Sequence, residues 1–85
     1  MDRPAKTEKE LVEKLTVDLI TAAMRVNDCS KTKDMNRNRV NYGIATKCSD
    51  VLNFLKIEVN LPCWENEGFL IIERVVISGK ETKFF

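Results

Sequence analysis

The side chains that could carry out chemistry in this 85-residue chain are few, and their spacing argues against an enzyme. The chain has three widely separated cysteines (Cys29, Cys48 and Cys63) and no histidine. A zinc site needs closely spaced cysteines or histidines, and a cysteine nucleophile needs a neighbouring base, so neither is predicted. Three glycines are too few for a glycine-rich phosphate loop. We therefore expect no catalytic residues, metal or cofactor, and three reduced thiols in a cytoplasmic protein.

A basic, asparagine-rich segment is the strongest candidate for a binding site. Residues 27–49 contain five basic and two acidic side chains, although the net charge of the whole chain is only +1. Lysine and arginine neutralise phosphates, the amides of Asn36, Asn38 and Asn41 could bond to phosphates or base edges, and Tyr42 could stack on a base. The nucleic-acid-binding residues that we predict, one of them in a C-terminal turn, are Lys31, Lys33, Arg37, Arg39, Lys47 and Lys80.

Apolar side chains outside the predicted core suggest a second kind of function. Phe54 and Ile57 point away from the main apolar stripe of the second predicted helix, and Trp64 follows soon after. These three residues could contact one partner protein, as in a small inhibitor or adaptor. The basic segment would then be a solvated loop that keeps the protein soluble. A non-enzymatic nucleic-acid-binding regulator and a protein-interaction module therefore both stay open.

The first element that must position these residues is a long amphipathic helix, predicted from about Glu8 to Val26. Thr7 and Glu10 fit a capping box at its start, and the polar segment 27–30 is predicted to end it. At 100° per residue its apolar side chains fall on one stripe. The stripe comprises Leu11, Leu15, Leu19, Ala22 and Val26, with Val12 and Ala23 beside it.

Three further apolar residues of this helix, Val17, Ile20 and Met24, lie outside the stripe. A wide buried face that is covered by more than one neighbouring element would explain them. A seam between two copies of the chain would also explain them, which leaves a homodimer open as an alternative.

A second helix is predicted from about Ile44 to Glu58. Residues 31–41 before it lack apolar periodicity and are predicted to be mainly loop, with a helical turn near Asp34–Arg39 and a short extended piece through Val40, Tyr42 and Ile44 left open. Extending this helix backward would place Arg37 within its apolar stripe, so we expect it to start near Tyr42 or Gly43. Residues 60–62, which include a proline, are predicted to break it. The stripe comprises Ile44, Cys48, Val51, Leu52, Leu55 and Val59, and Cys48 is expected to be a buried thiol.

The C-terminal third is predicted to form a β-hairpin. Residues 63–68 are expected to form a single turn closed by Gly68, and the β-branched run 69–77 a strand, with a helix as the alternative. A turn over 78–80 and a short return strand over 82–85 follow. The fold class is then α+β, with a long N-terminal helix, a second amphipathic helix and a C-terminal β-hairpin. We expect one domain over residues 1–85, with a flexible lead-in at 1–6 and no membrane span.

The segment 67–85 (EGFLIIERVVISGKETKFF) resembles the wing of winged helix-turn-helix DNA-binding domains. In that family an acidic residue and a glycine close the recognition helix, and an apolar strand, a Gly/Lys turn and an aromatic strand follow. The resemblance implies that Ile44–Val59 matches the recognition helix, that Ser78–Lys83 matches the tip of the wing, and that the protein binds DNA. This chain differs from the family in the nine residues 60–68 between helix and strand, and in having few basic residues on the exposed helix face.

Overall fold

The computed structural model describes residues 8–84, and it has two helices followed by antiparallel strands. This confirms the α+β class and the order of helices and hairpin. The capping residue Thr7, the lead-in at 1–6 and the last residue of the return strand lie outside the described residues. The elements are α1 (Glu8–Lys31), α2 (Met35–Phe54), β1 (Val59–Asn60), β2 (Cys63–Asn66), β3 (Phe69–Ile72), β4 (Arg74–Ile77) and β5 (Lys80–Lys83).

Helix α1 continues through residues 27–30, so our prediction that this polar segment ends the helix is wrong. The helix ends at Lys31 in a Schellman motif. The Asp34 N–H donates to the Cys29 carbonyl at 2.9 Å, and Lys33, whose N–H donates three residues back, has a left-handed φ of 63°. The basic segment predicted as a loop is therefore two helix ends joined by a short turn.

Helix α2 begins at Met35, well before the predicted start near Tyr42. Its N-cap is Asp34, whose side chain accepts a hydrogen bond from the Arg37 N–H at 3.1 Å. We rejected this start because it placed Arg37 in the apolar stripe. In the structure the inward position is occupied by Asn38, which is fully buried, and the side chain of Arg37 is 80% exposed.

Helix α2 ends at Phe54, ahead of the predicted end at Glu58 and of the proline segment that we expected to break it. A second Schellman motif stops it. The Ile57 N–H donates to the Leu52 carbonyl at 2.9 Å, and Lys56 has a φ of 69°. Each helix is thus followed, two residues after its last residue, by a lysine in the left-handed conformation, a position that glycine usually occupies.

The strands form an antiparallel meander that bends in the middle. β2 pairs with β3, and β4 lies between β1 and β5. The run 69–77 is extended, as predicted, but it is divided at Glu73 into β3 and β4. The backbone N–H of Glu73 donates to the Pro62 carbonyl, and the backbone carbonyl of Glu73 accepts from the Phe84 N–H. The predicted hairpin is β4–β5, with its turn at Ser78–Gly79. Val59 of β1 was placed on the stripe of the second helix, and β2 was predicted as part of a single turn; both predictions are wrong.

The core lies between the two helices and the β3–β4 run. The α1 stripe is confirmed over its second half, whereas Ile44 of the predicted α2 stripe is 46% exposed and Ala45 is buried in its place. Val17 and Met24 are 62% and 51% exposed, so the wide buried face does not account for them. The buried core residues are Leu19, Ala22, Ala23, Val26, Ala45, Cys48, Leu52, Ile72 and Val75.

Two buried asparagines attach β3 to the helices. Asn27 on α1 accepts from the Ile72 N–H at 2.8 Å and donates to the Ile72 carbonyl at 2.9 Å. Asn38 on α2 makes the same pair of bonds with Leu70, both at 2.9 Å, and also donates to the Val26 carbonyl. The two amides thus take the place of a neighbouring strand along the β3 edge that faces away from β2. Asn38, which we predicted could contact nucleic acid, is therefore a core residue.

Candidate interaction surface

The turn between β2 and β3 brings acidic residues next to the predicted basic segment. Lys33 Nζ lies 3.4 Å from Glu67 Oε1 and 5.2 Å from the centre of the Phe69 ring. The Lys33 ammonium is therefore shared between a carboxylate and an aromatic face, which are both attractive to a cation. This contact joins the turn between the helices to the turn between the strands.

The two arginines of the segment also have partners within the protein. Arg39 Nη2 donates to the Gly68 carbonyl at 2.9 Å and lies 4.0 Å from Glu65 Oε2. Arg37 Nε lies 3.6 Å from Asp34 Oδ2, one turn earlier on the same helix. Three of the six predicted phosphate-binding side chains are therefore placed beside carboxylates. Such pairs are exposed and weak, but they reduce the positive potential that a phosphate would meet.

The other three predicted phosphate contacts are exposed and lie on three separate elements. Lys31 is the last residue of α1, Lys47 is in the middle of α2, and Lys80 begins β5. The β2–β3 turn and the β4–β5 turn are at opposite ends of the nine-residue run 69–77, which spans up to roughly 30 Å. The structure thus distributes the predicted basic residues over the molecule and does not gather all six on one patch.

Helix α2 carries exposed apolar side chains on the side that faces away from the core. Phe54 is 83% exposed, Val40 62% and Ile44 46%, and Val51 beside them is half-buried. At 100° per residue these four fall within an arc of about 80°. We call them together the α2 outer face. The sequence interpretation missed this surface because it assigned Ile44 and Val51 to the core stripe.

The three residues predicted to bind a partner protein are not on one surface. Phe54 belongs to the α2 outer face, whereas Ile57 is half-buried and packs against the core. Trp64 is 44% exposed on β2. Its neighbours Cys63 and Glu65 contact side chains of α2, so Trp64 projects from the opposite face of the strand.

The surroundings of Cys48 and Tyr42 make both side chains less acidic than usual. Cys48 is buried, as predicted, and burial, with a smaller effect of the nearby Asp18 carboxylate, raises its pKa. The Tyr42 hydroxyl lies 3.5 Å from Cys63 Sγ, and this contact raises the pKa of Tyr42. Over residues 8–84, no group of three or more histidine, cysteine or acidic side chains is arranged to hold a metal ion.

Two of the depressions on the surface of residues 8–84 adjoin helix α1, and both are small. One of about 140 Å³ lies between α1 and Phe84, and one of about 160 Å³ lies between α1 and α2. Pockets for small organic ligands usually enclose roughly 300 Å³ or more.

No family model, curated protein or solved structure matches this chain. The resemblance to the wing of winged helix-turn-helix domains stays a prediction, and the segment that carries it is the β3–β4–β5 part of the meander. Neither helix of the described part is long and apolar enough to cross a membrane.

Proposed function

We propose that this protein is a protein-binding module and that the α2 outer face is its contact surface. The observation that carries the proposal is the 83% exposure of Phe54 at the end of a row of exposed apolar residues. Scattered apolar side chains are normal on a surface, but a row on one helix face is typical of an interaction site. Burial of one phenylalanine ring contributes about 1.5–3 kcal/mol, and aromatic side chains are frequent at the centre of interfaces.

The spacing of the α2 outer face suits a helical or grooved partner. Its four members, Val40, Ile44, Val51 and Phe54, follow each other at intervals of four, seven and three residues. Intervals of three, four and seven residues place side chains on one helix face, as in complexes where a helix packs in a groove or on another helix. Lys47 interrupts the row and provides one charge that can select a partner.

The surface is also rigid before it binds. The opposite side of α2 supplies Ala45 and Leu52 to the core, and both ends of the helix are fixed by capping contacts. Binding to such a surface orders few additional groups, so less of the interaction free energy is lost. The backbone that carries the exposed side chains is thus already in place when a partner arrives.

Nucleic-acid binding, our first hypothesis from the sequence, is less well supported by the described contacts. Lys33, Arg37 and Arg39 would have to exchange carboxylate partners for phosphates, and the remaining lysines lie on separate elements. A gel-shift assay at low ionic strength tests this hypothesis directly. A salt-dependent shift of DNA or RNA that is lost in Arg37→Ala plus Arg39→Ala would favour it over protein binding.

The proposed function is tested by affinity capture from the native host, after nuclease treatment, with two matched valine variants. Val40 and Val17 are both 62% exposed, but only Val40 is on the α2 outer face. We expect Phe54→Ala to lose the captured protein, Val40→Ala, at the edge of the face, to capture less of it, and Val17→Ala to keep it. Retention of the partner by both α2 variants would contradict the proposal.

A further inference from the structure

We infer that the partner of the α2 outer face is the same face of a second copy of this chain, with the two α2 helices antiparallel. This inference rests on the proposed function of that face and adds the identity and orientation of the partner. Three features support it: Gly43, the opposite charges of Lys47 and Asp50, and the apolar residues beside them.

Gly43 lies in the middle of α2, where glycine is among the least favourable residues for a helix. It is exposed, and a Cβ atom added to it would meet nothing within 4 Å. The packing of a single copy therefore gives no reason for a glycine at this position. A glycine on an exposed helix face allows the backbone of a second helix, or a large side chain on it, to approach closely.

The residues in line with Gly43 are complementary to the same residues of a second copy that runs in the opposite direction. Gly43, Lys47, Asp50 and Phe54 follow at intervals of four, three and four residues and span an arc of about 60°. This is the spacing of a coiled-coil seam. When two copies pair antiparallel about a point between residues 48 and 49, Phe54 of each copy faces Gly43 of the other. Lys47 of each copy then faces Asp50 of the other.

The apolar residues beside this line meet in the same register. Ile44 and Val51 lie on one flank of the seam, and a twofold axis perpendicular to the helices brings that flank of one copy against the same flank of the other. Ile44 of one copy then lies about 3 Å along the axis from Val51 of its partner. The exposed part of Ile44 and the half-buried Val51 are thereby covered from outside.

The charges select the antiparallel orientation. In a parallel pair in register, Lys47 would lie beside Lys47 of the second copy and Asp50 beside Asp50. Like charges at facing positions oppose association, whereas the antiparallel pair makes two attractive contacts. The helices overlap over residues 43–54, or about 18 Å, so we expect a small interface and a dimer that dissociates in the micromolar range.

The experiment is sedimentation equilibrium of the full chain and of three variants over a concentration series. Lys47→Glu alone places two carboxylates face to face, and Asp50→Lys alone places two ammonium groups face to face. Each should raise the dimer dissociation constant about tenfold or more. An equimolar mixture restores opposite charges at both contacts and should associate as tightly as wild type, to within about threefold.

The third variant tests the close approach at Gly43. Gly43→Gln adds a side chain where the single copy has open space, so the monomer should fold with an unchanged circular dichroism spectrum. The same side chain occupies the space that receives Phe54 of the second copy, and the dimer should be lost. A dimer of unchanged affinity in Gly43→Gln would overturn the inference.

A wild-type chain that stays monomeric up to about 1 mM would also overturn the inference, and so would single charge variants whose mixture fails to associate. These outcomes are separable from failure of the proposed function. A monomeric wild type whose captured partner is still lost on Phe54→Ala would remove the second copy as partner and keep the α2 outer face as a protein-binding surface.

Discussion

Asn38 illustrates how a polar residue in a basic segment can belong to the core. Its amide fills three hydrogen bonds, two to Leu70 and one to Val26, and its side chain is fully buried. The segment looked solvated because asparagine is usually exposed and usually disfavours helix interiors. Nothing local distinguishes Asn38 from its exposed neighbour Asn36. The difference arises from the strand that packs against α2 from far along the chain.

Replacement of Asn38 should destabilise the protein strongly. Asn38→Ala leaves the N–H and carbonyl of Leu70 without a partner, whereas the Val26 carbonyl, which lies within α1, keeps its helical hydrogen bond. We expect a loss of about 2–6 kcal/mol in the free energy of unfolding, since each of the two unpaired polar groups costs about 1–3 kcal/mol. Urea denaturation monitored by circular dichroism measures this loss in the free energy of unfolding. Asn36→Ala is the matched control, and equal, small losses in the two variants would contradict the role of Asn38.

The buried thiol of Cys48 predicts a decline in stability at alkaline pH. Burial raises the pKa of Cys48 above its ordinary value of 9.0, so the folded protein holds this proton more tightly than the unfolded chain does. The stabilising contribution is complete below pH 9.0 and is lost as the pH rises through the raised pKa of the folded state.

The measurement is the free energy of unfolding as a function of pH in wild type and in Cys48→Ala. The variant should lose part of the alkaline decline, and the raised pKa of Tyr42, which acts in the same direction, should account for some of the remainder. Identical pH profiles in the two proteins would show that the Cys48 thiol does not contribute.

At the scale of the elements, each helix is followed by a lysine in a left-handed conformation, where a glycine would be less strained. Lys56 has a φ of 69° and is exposed at the end of α2. Lys56→Gly should raise the free energy of unfolding by about 1 kcal/mol, because a left-handed residue with a Cβ atom is strained by roughly that amount. Thermal unfolding checks this expectation, with Lys56→Ala as the control that keeps the strain. A destabilised Lys56→Gly would contradict it.

The same lysines explain why the helix ends were predicted incorrectly. A glycine after the last apolar residue usually marks the end of a helix, and here Lys33 and Lys56 take that position. The long apolar stripe of α1 could be predicted because its period persists over many residues. The start of α2 could not, since its first inward residue is Asn38 and its capping residue is Asp34, in a segment without apolar periodicity.

The strands, like the helices, could be predicted from the sequence only in part. The run 69–77 and the turn at Ser78–Gly79 could be predicted from β-branched residues followed by a glycine turn. β2 was missed because its four residues are all exposed and show no apolar alternation. The available signal was Glu67–Gly68, a two-residue turn with both φ angles positive, which joins β2 to β3 as a hairpin.

At the scale of the whole molecule, the candidate surface depends on which residues of α2 the rest of the fold covers. The exposure of Phe54 could be predicted from the sequence, because this residue lies off the main apolar stripe. Val40 and Ile44 could not, because their exposure depends on where α2 begins and on which of its sides α1 and the sheet occupy. The acidic neighbours of the basic residues could not be predicted for the same reason, because Glu65 and Glu67 lie beside Arg39 and Lys33 only in the folded chain.

The most direct test of the central claim, that the α2 outer face binds protein, is photo-crosslinking from that face in the native host. Phe54 is replaced by the photoreactive benzoylphenylalanine, which keeps an aromatic side chain at the 83% exposed position, and Lys80 on the β4–β5 hairpin is replaced in the same way as a control. The α2 outer face predicts a discrete protein adduct from position 54, either a second copy or another protein, and none from position 80. Equal labelling from both positions, or none from position 54, would contradict it.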